Sequence, residues 1–175
     1  MTIEKAMRKA DRSRFLPEER REMASLDQAL PIGKGQTISQ PTVVKFMLEH
    51  LNLEREQKVL EIGSGSGYVL AVLSYLVDEV HGVEIDRDLV AEAKPRLSDY
   101  ENVNLHRADG HSGLPEMAPF DRILVSFAFE KPPVHLLEQL KDAGRLVVPV
   151  GNSIQVYGKE THHGFVFVPN RTGEP

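Results

Sequence analysis

Val59-Leu60-Glu61-Ile62-Gly63-Ser64-Gly65-Ser66-Gly67-Tyr68 decides the fold of this chain. An apolar run carries one acid near its end. Three glycines then alternate with serines, and Val69-Leu70-Ala71-Val72-Leu73 opens a new apolar pattern. Physically, a buried strand runs into a tight turn, and the turn opens a helix. Residues without a Cβ let the backbone bend sharply and let a ligand come close. The N–H groups at the helix start have no partner within the helix and face whatever sits there.

Two phosphate-binding signatures fail on this decamer. A G-x-G-x-x-G fingerprint would need a third glycine where Tyr68 or Leu70 stands, and no G-x-x-x-x-G-K-[ST] loop is present. What remains is acid-x-G-x-G-x-G. A plain strand-to-helix turn is the competing reading of the decamer taken alone.

Working outward, residues 58–62 read as the first strand and residues 66–77 as the helix after the turn. Glu79-Val80-His81-Gly82-Val83-Glu84-Ile85 is the next strand. It delivers Glu84, 17 residues past the last loop glycine, Gly67, where an acid at a strand end can grip both hydroxyls of a ribose. A solvent-exposed strand-end acid is the alternative. Asp86 can cap a helix over residues 87–97, with Leu89, Val90, Ala93 and Leu97 as its apolar stripe and Pro95 weakening its end. Residues 102–108 form a third strand. It presents Asp109-Gly110, either a nucleobase contact or a simple turn. Residues 119–127 and 144–151 are the fourth and fifth strands, with a helix over 134–140 between them. Residues 153–157 and 164–168 are then joined by a connection too short for a parallel crossover, so they form a hairpin. Residues 170–175 read as a frayed tail.

The expected fold is therefore α/β: a doubly wound, mostly parallel, Rossmann-like sheet with antiparallel C-terminal strands. Ligands on such sheets lie beyond the carboxyl ends of the strands, at the switch point. Glu61, Gly63, Ser64, Gly65, Ser66, Gly67, Glu84, Ile85, Asp109 and Gly110 all fall there. That convergence favours binding over the bland readings.

Upstream, residues 3–14 predict an amphipathic helix and residues 18–26 a further turn or two of helix. The bases Lys5, Arg8, Lys9, Arg12, Arg14, Arg20 and Arg21 are interleaved with acids, which reads as a solvated face. Residues 30–41, Leu-Pro-Ile-Gly-Lys-Gly-Gln-Thr-Ile-Ser-Gln-Pro, read as a loop before a helix that starts at Pro41. Its hydroxyls, Thr37 and Ser39, either cap that helix or face a ligand.

The 175 residues fit one domain with a real core. With 21 basic and 26 acidic residues and a formal net charge of -5, nucleic acid is disfavoured as a partner. The lack of cysteine removes disulfide and thiol chemistry. No apolar stretch is long enough for a bilayer, and residues 1–5 lack a secretory h-region, so a cytoplasmic, soluble protein is expected. The seven histidines match no metal-binding spacing, and no metal is expected.

These stretches resemble the protein-L-isoaspartate O-methyltransferases. The likeness rests on residues 30–33 and 35–41, on 59–68, on Ala108-Asp109-Gly110, on Ala118-Pro119-Phe120-Asp121, on residues 139–141 with 144–151, and on Phe165-Val166-Phe167-Val168-Pro169. Acid-x-G-x-G-x-G is common to many methyltransferases that use S-adenosyl-L-methionine; the Gly-Gln-Thr-Ile-Ser-Gln-Pro loop is specific to this family. The resemblance implies a seven-stranded methyltransferase sheet and S-adenosyl-L-methionine as cofactor, leaving S-adenosyl-L-homocysteine. It implies methylation of the free α-carboxylate of isoaspartyl residues in peptides and damaged proteins, after which the ester closes to a succinimide. Residues 1–40 would be a helical segment with the substrate loop and residues 41–175 the methyltransferase domain, together one compact monomer. Ser39 matches the active-site position, with Thr37 beside it; Ser64, Glu84, Asp109 and Gly110 match cofactor positions. Val125-Ser126-Phe127-Ala128 departs from the Thr-Ala-Ala-like run expected there. The other expectations to weigh are a related methyltransferase acting on RNA or a small molecule, and an adaptor that keeps the fold without turnover.

A carboxylate nucleophile has an ordinary pKa of about 3.9 and is already ionised at neutral pH, so no general base is needed. The chain's task is placement, with Ser39, Thr37 and the loop N–H groups holding the carboxylate.

Overall fold

The computed structural model describes residues 1–158 and, as backbone, the strand Thr161–Pro169; residues 170–175, where a frayed tail is expected, lie outside the described residues. Helix α1 (Ile3–Ala10) is capped by Thr2, whose hydroxyl accepts from the Lys5 N–H, and it buries Ala6 and Ala10. It stops short of the expected Arg14. Asp11 turns left-handed (φ 50), and its carboxylate caps a 3-10 turn, Arg12–Phe15. That turn swings Arg12 inward until it is 5% exposed, so Arg12 does not belong to the solvated basic face. The next segment, Glu18–Met23, is also a 3-10 turn and buries nothing.

Residues 30–41 are not simply loop. β1 (Leu30–Gly33) pairs antiparallel with β2 (Gln36–Ile38), and Gly33, Lys34 and Gly35 at the bend all have positive φ. Leu30 and Ile32 point into the core while Pro31 and Gly33 face out, a period-two pattern. Helix α2 (Pro41–Leu51) follows, with proline in its first turn. Neither Thr37 nor Ser39 caps it. Its N-cap residue, Gln40, makes no side-chain cap, and Asp27 supplies the acceptor instead, taking the Thr42 N–H (2.9 Å), the Thr42 hydroxyl (2.6 Å) and the Gln40 amide (3.1 Å).

The main sheet contains β3 (Lys58–Ile62), β4 (Glu79–Glu84), β5 (Val103–Arg107), β6 (Phe120–Val125), β7 (Leu140–Val150), β8 (Ser153–Gly158) and β9 (Thr161–Pro169), in the order β5-β4-β3-β6-β7-β8-β9. The first five are parallel; β8 and β9 are antiparallel, joined as the expected hairpin. The chain steps outward from β3 to β4 and β5, then returns to β6 on the other side of β3. That reversal is the switch point. Helix α3 (Tyr68–Ser74) joins β3 to β4 and is buried at every residue, though shorter than the expected 66–77. Helix α4 (Arg87–Arg96) joins β4 to β5, with the Asp86 carboxylate accepting from Asp88 and Leu89 N–H groups.

The four helices share one side of the sheet, in a core that takes in Val59, Val80, Leu124 and Val147 from the strands. The second core holds Leu60, Ile62, Val83, Phe120, Ile123, Leu146 and Val148 from the other side. The expected helix over 134–140 is a 3-10 turn there, Val134–Gln139, and β7 starts earlier than residue 144. In a 3-10 turn residues three apart share a face. Leu136 and Gln139 are the buried pair, and the Gln139 amide donates to Ser112 O (2.7 Å) and accepts from Leu114 N–H (2.8 Å). Those two bonds satisfy a buried bend and fix the tighter geometry.

Candidate active site

At the carboxyl end of β3 the chain leaves the sheet abruptly. The N–H groups of Gly63 and Ser64 both donate to Val83 O (2.8 and 3.0 Å), folding the turn across the end of β4. Gly67 caps α3 with φ 88, and a Cβ there would lie 2.9 Å from a Leu97 methyl. Only glycine supplies that dihedral cheaply in so little room. From β4, the Glu84 carboxylate reaches back. Oε2 accepts from Gly65 N–H and Oε1 from Asp86 N–H, both at 2.9 Å, with the residue 8% exposed. Ile85, beside it, is 63% exposed, an unusual state for a large apolar side chain. After β5, the Asp109 carboxylate caps a 3-10 turn through the His111 N–H (3.0 Å), and Gly110 packs so close to Ile62 that a Cβ would lie 2.5 Å from it.

These groups enclose a cleft of about 310 Å³, lined by Thr37, Gly63, Gly65, Glu84, Ile85, Asp109 and Gly110. A smaller cavity of about 30 Å³ adjoins it. Ser39, Glu61, Ser64 and Ser66 line this one, and Thr37, Gly63 and Gly65 border both. The sequence-derived residues thus converge on two neighbouring cavities, except Gly67, which shapes the start of α3. The β1–β2 hairpin forms the roof. Ile32 would meet a Cβ at Gly65 at 3.3 Å, and Lys34 at the bend pairs with Asp88 of α4 at 2.5 Å.

The match to known proteins agrees with this geometry. Residues 1–167 match the family model described as Protein-L-isoaspartate(D-aspartate) O-methyltransferase. The chain belongs to that family. Among its isoaspartate O-methyltransferase relatives, the one from Opitutus terrae is 52% identical over 148 residues, which is 83% of this chain and 64% of the relative. The one from Aliivibrio salmonicida is 47% identical over 164 residues, 93% of this chain and 79% of the relative. The chain thus spans just under two thirds of the length of the first of these. A solved protein-L-isoaspartate O-methyltransferase superposes with a TM-score of 0.83 at 28% identity, covering 94% of this chain and 58% of that one. A Plasmodium falciparum structure containing S-adenosyl-L-homocysteine shares the fold, with a TM-score of 0.80 at 21% identity, covering 95% of this chain and 85% of its own.

Within this member of the isoaspartate methyltransferase family, Glu61 is the most perturbed group. It is buried, Oε1 accepts from the Ser126 hydroxyl (2.7 Å), and Oε2 has no partner. Burial pushes its pKa from an ordinary 4.5 up to about 8; the Ser126 hydrogen bond opposes the rise and the nearby Glu84 adds to it. The folded chain therefore keeps a proton that the unfolded chain gives up near pH 4.5. The contribution of Glu61 to stability falls as pH rises from about 4.5 to about 8 and is flat beyond. Melting curves of Glu61→Gln beside the parent test this. The parent is expected to lose ground steadily across that window, and a constant difference between the two would mean that Glu61 is already ionised in the fold.

Several lining residues escaped the sequence reading. Ser126 and Phe127 follow β6, the fourth strand whose carboxyl end opens on the cleft, and Phe127 packs over Gly63. The strand-end rule points to both residues; the sequence marked them only as a departure from the family run. Gln36 and His111 also line the cleft; Gln36 belongs to the family-specific loop without having been singled out, and His111 carries no sequence signal.

Proposed function

We propose that this chain is an S-adenosyl-L-methionine-dependent carboxyl O-methyltransferase acting on the α-carboxylate of isoaspartyl residues in damaged proteins. The observation that carries the reading is the meeting of Ser39 with the glycine turn in one cavity, next to a larger cleft edged by Glu84. The cofactor fits the groups present. Glu61, whose Oε2 has no partner, would give up its proton and accept from the cofactor's ammonium, and the Glu84 oxygens have lone pairs left for two ribose hydroxyls. Ile85 offers an apolar surface for a base, and Asp109 and Gly110 edge the same end of the cleft.

When bound, the cofactor supplies a methyl activated by the positive charge on its sulfur. Everything else falls to the chain. Thr37 and Ser39 hold the substrate carboxylate by donating to it, leaving one oxygen directed at the methyl. The hairpin roof excludes water. Alignment of this kind is worth roughly 7–11 kcal/mol, and no proton has to move, because the carboxylate is already ionised. In this reading residues 1–40 form the substrate side and residues 41–175 the cofactor side of one cytoplasmic monomer. Among the described residues no helix is long and apolar enough to cross a membrane.

The deciding experiment offers labelled S-adenosyl-L-methionine with an isoaspartyl peptide and its normal aspartyl twin. Label is expected on the isoaspartyl peptide alone. Equal labelling of the two, or none of either, would overturn the assignment.

A further inference from the structure

Arg12 is a buried guanidinium whose hydrogen bonds go to no carboxylate. Nη1 donates to Ala24 O (3.0 Å) and Leu26 O (3.1 Å), and Nη2 to Gln28 O (2.8 Å) and Ser39 O (3.1 Å). Its Nε–H has no partner. The nearest acid in sequence to these acceptors, Asp27, accepts its hydrogen bonds from Thr42 and Gln40, and its charge still lies close enough to interact with Arg12. Such a charge is costly to bury, and removing it would leave four carbonyls without a donor. Three of those carbonyls belong to the strap 24–28. The fourth belongs to Ser39, which lines the smaller cavity. The turn that carries Arg12 also packs against the cavity wall, since Phe15 meets Tyr68 with ring centroids 5.8 Å apart.

We infer that Arg12 is a positioning residue for the substrate carboxylate: by holding the Ser39 carbonyl together with the strap 24–28, it fixes the peptide of the residue that meets the anion. This rests on the proposed function for the identity of the anion, though the pinning itself does not. The geometry also explains how one residue governs two features. Drawing the strap around Arg12 presents Asp27 to the first turn of α2, and the same guanidinium fixes the residue two positions before that helix.

Arg12→Met and Arg12→Lys test the inference. For Arg12→Met, KM for an isoaspartyl peptide is expected to rise roughly 30-fold while the dissociation constant of S-adenosyl-L-homocysteine, measured by calorimetry, stays within about twofold. Arg12→Lys keeps the charge but has only three donors, so it is expected to recover part of the loss. Without cofactor or substrate, hydrogen exchange at the Thr42 and Val44 amides, which donate to the strap's Asp27 and to Gln40 O beside Ser39, is expected to quicken at least about tenfold in Arg12→Met and less in Arg12→Lys. Loss of cofactor affinity in step with KM, or unchanged KM together with unchanged exchange, overturns the inference. If Arg12→Met does not fold, Arg12→Lys carries the same comparison. If the parent chain methylates no isoaspartyl peptide, the proposed function has failed, and the exchange rates still decide whether Arg12 pins Ser39.

Discussion

Glu84→Ala is expected to weaken binding of S-adenosyl-L-homocysteine about 100-fold, as read by calorimetric titration. The carboxylate sits at the end of β4 with each oxygen already holding one backbone N–H, from Gly65 and Asp86. Those two bonds aim the remaining lone pairs into the cleft, where a ribose would donate to both. A hydrogen bond to a charged group contributes ~1.5–3 kcal/mol, and ~1.4 kcal/mol is a factor of ten in affinity. Two such bonds, partly replaced by water after truncation, give the stated loss. The Gly65 N–H also loses its anchor, so the glycine turn becomes less fixed just where the ligand lies. Glu84→Gln keeps the shape and one acceptor oxygen, and it is expected to fall between the parent and the alanine variant. Unchanged affinity in Glu84→Ala would remove Glu84 from the site. A melting temperature that drops sharply without ligand would assign the effect to the fold rather than to the ribose.

The parts of this site that were legible in the sequence share one property: their chemistry depends on neighbours close along the chain. The glycine turn, Glu84 and Asp109 each follow an apolar strand, and the parallel order β5-β4-β3-β6 brings those strand ends together without further information. Arg12 is the opposite case. Nothing distinguishes it from Arg8 or Arg14 in a basic run, because its burial depends on carbonyls 12 to 27 residues away. Asp27 is similar, capping a helix that begins well downstream. The β1–β2 hairpin was readable in principle from Leu30, Ile32 and Ile38, whose side chains are buried. Two prolines and two glycines in twelve residues outweighed that alternation, yet Pro31 occupies a strand in a two-stranded sheet that has only edges, where its missing N–H costs little. The segment 134–139 failed for a related reason. Its apolar spacing permits either helix type, and the choice is made by where the Gln139 amide finds partners.

Ser39→Ala is expected to lower turnover of an isoaspartyl peptide about 100-fold with S-adenosyl-L-homocysteine affinity nearly unchanged. The two outcomes separate because Ser39 uses different atoms for different tasks. Its carbonyl accepts from Arg12, while the proposed reaction assigns its hydroxyl to the substrate in the cavity that the residue lines. Alanine keeps the carbonyl and therefore keeps the pinned backbone; only the hydroxyl goes. Capping gives no rival explanation, since α2 takes its cap from Asp27. A well-placed donor in a water-poor site commonly contributes ~2.7–4 kcal/mol to the barrier, or about 100- to 1,000-fold in rate. The lower end applies here because the carboxylate is charged before and during transfer, so the hydroxyl orients it and does not stabilise newly formed charge. The same hydroxyl must not hold the attacking oxygen too tightly, which is why neutral hydroxyl donors, Ser39 with Thr37 beside it, suit this chemistry better than a cation in direct contact would. Turnover within about threefold of the parent would take Ser39 out of the reaction, because a loss that small lies far below what an oriented donor contributes. Equal loss of turnover and cofactor affinity would make it a structural residue.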